Sequence, residues 1–160
     1  MRTNEQVIYN FFKAFQQKDY KTMQECYAAN AKFSDPVFPS LKADEIKTMW
    51  EMFCVKSKDL IVEFRNINTN EAKGRAEWTA VYTFSPTGKE VVNNVYSNFT
   101  FKDGKITRHT DYFDFYKWSK QALGLKGALL GWTPFVKTEI QEAGMKSLNE
   151  FINRKNMVVK

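Results

Sequence analysis

A chain of 160 residues, 43% hydrophobic and 16% aromatic, is long enough to form one domain with its own core, which argues against a disordered chain. Its net charge of +6 is dispersed, with no run of five basic residues, so we expect a solvated surface and no nucleic-acid partner. Two cysteines, Cys26 and Cys54, are too few for a disulfide framework, and with a single histidine they cannot make a typical zinc site.

Two features of the sequence bear on where the protein works. Its apolar stretches are short and interrupted by charged residues, so we expect no membrane span and no membrane partner. Residues 1–12 include acidic and amide side chains where a signal peptide needs an uninterrupted apolar core. We therefore expect a cytoplasmic protein.

The first third of the chain has the spacing of amphipathic helices. Residues 5–17 predict a helix with one apolar face, formed by Val7, Ile8, Phe11, Phe12 and Phe15. A second short helix begins at Asp19, and a short strand at residues 31–35 ends before Pro36. A third helix spans about residues 42–54.

The rest of the chain begins with strand patterns. Alternation of apolar and polar residues predicts strands at residues 60–66, 76–84, 91–101 and 106–116. The turns between the last three strands have the sequences SPTGK and KDGK. A short helix at 118–123, an apolar loop at 124–132 and a last helix that begins at Thr133 and Pro134 complete the chain.

This order of elements predicts an α+β fold, because helices come first, hairpin-linked strands follow, and helices close the chain. We expect a cone-shaped α+β barrel with an apolar interior. In it the N-terminal helices cover the concave face of a curved antiparallel sheet, and an extra C-terminal helix is added.

The predicted strand at 106–116 carries the only histidine and two aspartates among aromatic residues. Because side chains alternate along a strand, His109 and Asp111 share a face with Phe113, and we expect this face to look inward while Asp114 faces outward. A carboxyl group buried among aromatic rings has a raised pKa, and beside an imidazole it suits general acid–base catalysis. The alternative is that the pair only completes a hydrogen-bonded core.

The opposite face of the sheet is apolar for a surface in contact with water. Tyr112 and Tyr116 are joined there by Val81, Val92 and Tyr96 from the neighbouring strands. A homodimer that covers this face is therefore expected.

Three segments of the chain carry a resemblance to a known family: the helix–helix–strand opening, the pair Asp35–Pro36, and GKITRHTDYFDF followed by WSKQALG. In these segments the chain resembles the nuclear transport factor 2-like superfamily. Within it, the nearest likeness is to the SnoaL-like branch of polyketide cyclases, ketosteroid isomerases and limonene epoxide hydrolases. The resemblance implies a domain over residues 1–123, with an apolar loop and a C-terminal helix at 124–160 packed on it.

The resemblance to ketosteroid isomerases implies that Asp35 is a proton-shuttling base. The tyrosine and the acid of their oxyanion hole would fall at Phe11 and Ser97. Neither residue type matches, which argues against steroid isomerisation.

The resemblance to the epoxide hydrolases and the polyketide cyclases implies an acid–base role for Asp111. The other two catalytic residues of the hydrolases, an arginine and an aspartate, would fall at Trp78 and Ala80, which argues against epoxide hydrolysis. The cyclase scheme needs only the aspartate in an apolar pocket.

Two main hypotheses follow. The first is a cyclase- or isomerase-like enzyme, without metal or organic cofactor, in which Asp111 and His109, with Asp35 as a third catalytic candidate, move a proton next to the carbonyl of a small apolar compound. The second is a non-catalytic domain that binds an apolar ligand or a protein, and a dimeric interaction module is a weaker third. The candidate ligand-binding residues are Trp50, Trp78, Tyr82, Phe99 and Phe113. The segment 124–132 is either a lid over the pocket or a packed connection.

Overall fold

The computed structural model describes residues 2–159, which form six helices and six strands. The helices are α1 (Asn4–Gln16), α2 (Tyr20–Glu25), α3 (Ala43–Lys56), α4 (Phe115–Leu123), α5 (Leu125–Leu130) and α6 (Pro134–Val158). The strands are β1 (Tyr27–Ser34), β2 (Leu41–Lys42), β3 (Ile61–Thr69), β4 (Lys73–Phe84), β5 (Lys89–Lys102) and β6 (Lys105–Tyr112). They form one curved, open sheet in the order β2-β1-β6-β5-β4-β3, and the predicted α+β class is confirmed. Within these residues, no helix combines the length and the apolarity needed to cross a bilayer.

Helix α1 begins and docks as its sequence predicts. The Thr3 hydroxyl accepts a hydrogen bond from the backbone amide of Gln6 at 3.2 Å, and the side-chain oxygen of Gln6 accepts one from the backbone amide of Thr3 at 2.9 Å. The helix packs on β3 and β4. Its buried face consists of Val7, Ile8, Phe11, Phe12, Ala14 and Phe15. The concave side of the sheet is therefore covered by the predicted apolar face.

The sheet is mixed rather than wholly antiparallel as predicted. Strands β3 to β6 pair antiparallel in chain order, but β1 runs parallel to β6, with Phe33 opposite His109 and Ser34 opposite Thr110. Hairpin turns fix only the pairing of consecutive strands, whereas β1 and β6 are joined through α3 and four further strands, a connection long enough for parallel pairing. The parallel pair places the residue after β1 beside the end of β6.

The last strand is shorter than predicted and ends at Tyr112. The Asp114 carboxylate accepts a hydrogen bond from the Lys117 amide at 2.9 Å and caps α4. Alternating apolar residues do not distinguish a continuing strand from a helix cap followed by the first turn of a helix. The predicted strand therefore extends to residue 116, beyond its actual end at Tyr112. Phe115 consequently leaves the inner face of the sheet and stacks on Trp118.

The predicted loop at 124–132 is mostly helical, since it contains α5. Helix α5 crosses α4 at Gly127, which has no side chain. A Cβ atom on Gly127 would lie 1.9 Å from the carbonyl oxygen of Ser119. The glycines that suggest a loop in the sequence instead permit this close crossing. The segment does not line the cavity described below and packs on α4, which favours the second of the two alternatives, a packed connection.

Helix α6 starts where predicted, with Thr133 as its N-cap and Pro134 in its first turn. It packs along α3, and its Leu148 is fully buried. Phe151 and Ile152 lie half-buried against the main core. The C-terminal helix therefore belongs to the same core as the sheet.

Candidate functional site

A cavity of about 340 Å³ lies between the inner face of β4 and β5, the end of α3, and α6. Its wall is largely aromatic and aliphatic, with Phe15, Phe38, Phe53, Leu60, Val95 and Ile140 among the lining residues. Lys56, Thr83 and Ser85 also line it and are exposed, so they mark its mouth. The cavity is of a size that small-molecule sites have in proteins.

Four of the five predicted ligand-binding residues line this cavity, namely Trp50, Trp78, Tyr82 and Phe113. Phe99 does not, because it lies deeper in the core with its ring centroid 4.3 Å from that of His109. Asp35 and Asp111 line the cavity, whereas the fully buried His109 does not. The structure thus brings the two carboxyl groups to one wall and places the imidazole behind it.

Asp111 stands on the inner face of β6 and is 4% exposed. Its Oδ1 accepts hydrogen bonds from His109 Nε2 at 2.7 Å and from the Ser97 hydroxyl. Ser97 lies directly opposite Asp111 on β5, and its hydroxyl in turn accepts a bond from Trp78 Nε1 at 2.8 Å. Both donors hold Oδ1 in place.

The second oxygen of Asp111 is free of protein. Oδ2 has no hydrogen-bond partner among residues 2–159. Every fully buried polar side-chain atom in this range has a partner, so Oδ2 is not fully buried. Oδ2 is therefore accessible, and the cavity is the surface that Asp111 lines. One oxygen holds the side chain in place while the other is available to a bound molecule.

The bonds of Tyr27 assign the tautomer of His109. The buried Tyr27 hydroxyl accepts from Trp50 Nε1 at 2.9 Å and lies 2.7 Å from His109 Nδ1. Burial raises the pKa of Tyr27 well above its usual value, so the hydroxyl keeps its proton, and Nδ1 is the acceptor available for it. Nε2 then carries the imidazole hydrogen and donates it to Asp111. In this arrangement His109 orients Asp111 and does not reach the cavity.

Asp35 sits in the tight turn that follows β1. Its Oδ1 accepts hydrogen bonds from the backbone amides of Val37 at 2.7 Å and Phe38 at 2.6 Å, while Oδ2 has no partner in the described chain. Burial raises the pKa of Asp35 to about 7, and the nearby charge of Asp111 adds to the rise. Asp35 is therefore able to hold or release a proton near neutral pH.

Helix α6 supports the turn that carries Asp35. Gln141 Nε2 donates to the Pro36 carbonyl at 3.0 Å, and Gly144 lies so close to Val37 that a Cβ atom would approach it to 2.9 Å. Residues of the same helix complete the cavity wall. The C-terminal part of the chain thus helps to build the site.

Several residues of the site are absent from the sequence-based prediction of its chemistry. Ser97 and Asn93 are polar residues on the otherwise apolar inner face of β5, and that contrast was an available signal. Tyr27 gave no signal, because the pattern places it on the apolar side of α2, whereas it is the first residue of β1. The contribution of α6 could not be found from periodicity alone. Across residues 2–159 no three His, Cys, Asp or Glu side chains converge as metal ligands would.

Solved structures with the same architecture are similar to this chain. An LEH-like epoxide hydrolase of M. tuberculosis is 22% identical over 79% of this chain and 92% of its own, with a TM-score of 0.61. IdmH of Streptomyces antibioticus, a candidate polyketide cyclase, is 19% identical over 78% and 100%, with a TM-score of 0.64. A hypothetical protein of Catenulispora acidiphila with a ketosteroid isomerase-like fold, in complex with trimethylamine, is 13% identical over 80% and 97%, with a TM-score of 0.65.

At these identities the likeness is one of fold. No curated protein matches the chain. The family model of the SnoaL-like domain matches residues 8–109, from α1 into β6, and stops two positions before Asp111. This match confirms the resemblance seen in the sequence, and the chain belongs to the SnoaL-like domain family.

Proposed function

We propose that this protein is a cyclase- or isomerase-like enzyme that transfers a proton next to the carbonyl group of a small apolar compound. The observation that carries the proposal is the pair of carboxyl groups, Asp111 and Asp35, on one apolar cavity. Each is anchored through Oδ1 and leaves Oδ2 without a protein partner in residues 2–159. Such a pair supplies a base and an acid to one bound molecule.

In the proposed reaction Asp111 is the base and Asp35 is the acid. Asp111, as a carboxylate, takes a proton from the carbon next to the carbonyl through Oδ2, and the electrons of the broken C–H bond form an enolate. Asp35, whose pKa is raised to about 7, gives a proton to the enolate at oxygen or at another carbon. The cycle closes when Asp111 releases its proton and Asp35 regains one through water at the cavity mouth.

His109 is a positioning residue in this scheme, because it does not touch the cavity. Its Nε2–H and the Ser97 hydroxyl hold Asp111 Oδ1, which fixes the direction of Oδ2. Similarity to the candidate cyclase IdmH and to the ketosteroid isomerase-like fold supports a reaction of this class.

The homodimer and the cytoplasmic location stay predictions. The exposed Tyr96 and Tyr112 on the outer face support the dimer, which light scattering would test.

The test uses 2-acetylnaphthalene, a flat apolar methyl ketone, in deuterated buffer. Proton NMR follows the loss of its methyl protons with and without protein. We expect exchange to be accelerated by the protein, and Asp111→Asn to reduce the acceleration by about 10²-fold or more. Asp103→Asn is the matched control, because Asp103 lies exposed in the β5–β6 turn with a positive φ that asparagine tolerates.

The outcomes separate the two hypotheses made from the sequence. Exchange that is equally fast with Asp111→Asn would remove Asp111 from the mechanism. Binding of the ketone by both proteins with no exchange by either would instead indicate a non-catalytic ligand-binding domain.

A further inference from the structure

Two polar groups of the cavity play no part in the proposed proton transfer. Tyr82 on β4 and Asn93 on β5 both line the cavity and are half-buried. The Tyr82 hydroxyl oxygen accepts a bond from Trp118 Nε1 at 2.8 Å, but its own hydrogen has no acceptor within the described residues. The Asn93 side chain has no hydrogen-bond partner there either. Both groups can therefore donate to a bound molecule.

The register of β4 and β5 brings the two donors together. Asn93 lies opposite Ala80, and Tyr82 is the next inward residue along β4. The small side chain of Ala80 lines the cavity beside Asn93. Trp118 fixes the Tyr82 oxygen from behind, and burial raises the pKa of Tyr82, so this hydroxyl remains a donor at neutral pH. The pair is a preformed donor site for which residues 2–159 supply no acceptor.

This donor pair is separated from Asp111, the base of the proposed reaction, whereas the charge of Asp35 reaches the Tyr82 hydroxyl and raises its pKa. Ser97, which lies opposite Asp111, is four residues along β5 from Asn93, and four residues of a strand span about 13 Å at the backbone. The wall between the two points is apolar, with Val95 and Trp78 on the inner face. A molecule that meets both ends is therefore elongated and apolar in its middle.

We propose that Tyr82 and Asn93 bind an oxygen acceptor at the far end of the ligand, so that the substrate class is an elongated, flat apolar compound with a second carbonyl or similar oxygen remote from the reacting carbon. The position of the reacting carbon rests on the proposed function. The donor pair itself rests only on the geometry of β4, β5 and Trp118. The cavity thus selects its ligand by a polar contact at each end.

The test compares two probes of the same shape. 2,6-Diacetylnaphthalene carries an oxygen acceptor at each end, and 2-acetyl-6-isopropenylnaphthalene replaces one carbonyl by a C=CH₂ group. Binding is followed by the fluorescence of the protein, since Trp50, Trp78 and Trp118 line the cavity. We expect the wild-type protein to prefer the diacetyl probe by about tenfold, as one or two hydrogen bonds would give.

Two variants assign the preference to the donors. Tyr82→Phe and Asn93→Leu should each reduce the preference by about threefold or more, and leave the affinity for the isopropenyl probe unchanged. If Tyr82→Phe does not fold because Trp118 loses its acceptor, Asn93→Leu decides alone, since that side chain has no protein partner in the described chain. A preference that persists in Asn93→Leu, or an equal loss of affinity for both probes, would overturn the proposal.

The same probes test the donor pair and the proposed proton transfer separately. Asp111→Asn should reduce the acceleration of proton exchange by about 10²-fold or more without changing the preference for the diacetyl probe. A wild-type protein that shows the preference but no exchange contradicts the enzymatic proposal alone. Exchange without any preference contradicts the donor pair alone.

Discussion

His109 and Asp111 stand two residues apart on the same face of β6, and Nε2 of the imidazole lies 2.7 Å from Oδ1 of the carboxylate. Only Asp111 lines the cavity, however, because the imidazole is enclosed by Tyr27, Phe33 and Phe99. The pair thus separates into a group that faces the ligand and a group that holds it.

The tautomer of His109 can be observed directly, because the chain has one histidine. We expect a long-range ¹H–¹⁵N spectrum of the labelled protein at pH 7.5 to show hydrogen on Nε2 and a bare Nδ1, since Tyr27 donates to Nδ1 and Asp111 accepts from Nε2. The same sample in urea should give the averaged signals of a free imidazole. Hydrogen found on Nδ1 of the folded protein would contradict the assigned network.

Removing the Tyr27 hydroxyl should destabilise the fold. In Tyr27→Phe, Trp50 Nε1 loses its acceptor and His109 Nδ1 loses its donor, and both are buried. We expect the free energy of unfolding in urea to fall by about 1–3 kcal/mol. Tyr112→Phe is the control, because Tyr112 is 54% exposed and should change stability little. Equal effects of the two substitutions would mean that the buried hydroxyl contributes nothing specific.

Asp35 should make stability depend on pH in an unusual direction. Its pKa rises from 3.8 to about 7 on folding, so between these values the folded protein binds more protons than the unfolded chain, and this carboxyl lowers stability as pH increases. Asp35→Asn removes the effect and retains the oxygen that accepts from Val37 and Phe38. We expect the variant to match the wild type near pH 4 and to be more stable by up to about 4 kcal/mol at pH 8.

Asp59→Asn is the control with the opposite sign. The Asp59 carboxylate accepts two hydrogen bonds from Thr83, at 2.6 Å from the hydroxyl and 3.1 Å from the amide, and these lower its pKa. Its contribution to stability is present at neutral pH and is lost in acid, so this variant should be less stable than the wild type at pH 8. Urea unfolding across pH 4–8 measures both differences. An Asp35→Asn difference that is flat with pH would show that the carboxyl is not desolvated.

The crossing of α4 and α5 should tolerate no added side chain. In Gly127→Ala the new Cβ would meet the Ser119 carbonyl oxygen at 1.9 Å, and a backbone atom cannot rotate away. The helices must separate, at a cost of about 3 kcal/mol in unfolding free energy. Ala128→Gly, at the exposed neighbouring position, should cost only about 1 kcal/mol through lower helix propensity. A Gly127→Ala variant as stable as the wild type would refute the close crossing.

The sequence predicts those parts of the fold in which burial alone determines the spacing of apolar residues. The apolar face of α1 and the alternation along β4 and β5 both match the structure, because burial alone determines those patterns. The end of β6 and the nature of α5 could not be predicted from alternation or glycine content. Asp114 serves as a helix cap there, and Gly127 serves as a contact point between helices.

The candidate site was predictable only in part, and for a related reason. Asp111 stands out as a carboxyl group on an apolar strand face, and Asp35 entered through the family resemblance. The hydrogen bonds that control Asp111 come from Ser97 and, through His109, from Tyr27, which lie on other strands. Which strands are neighbours is a tertiary property that periodicity along the chain does not contain.

The parallel pairing of β1 with β6 means that the two carboxyl groups are distant in the sequence and neighbours only in the finished sheet. During synthesis the ribosome delivers Asp35 long before its counterpart, so a nascent chain has no binding site until β6 has been made and docked. A compound that occupies the cavity would accordingly recognise only fully assembled molecules and raise their melting temperature by mass action. Thermal-shift screening therefore offers a search for natural ligands that needs no assay of turnover.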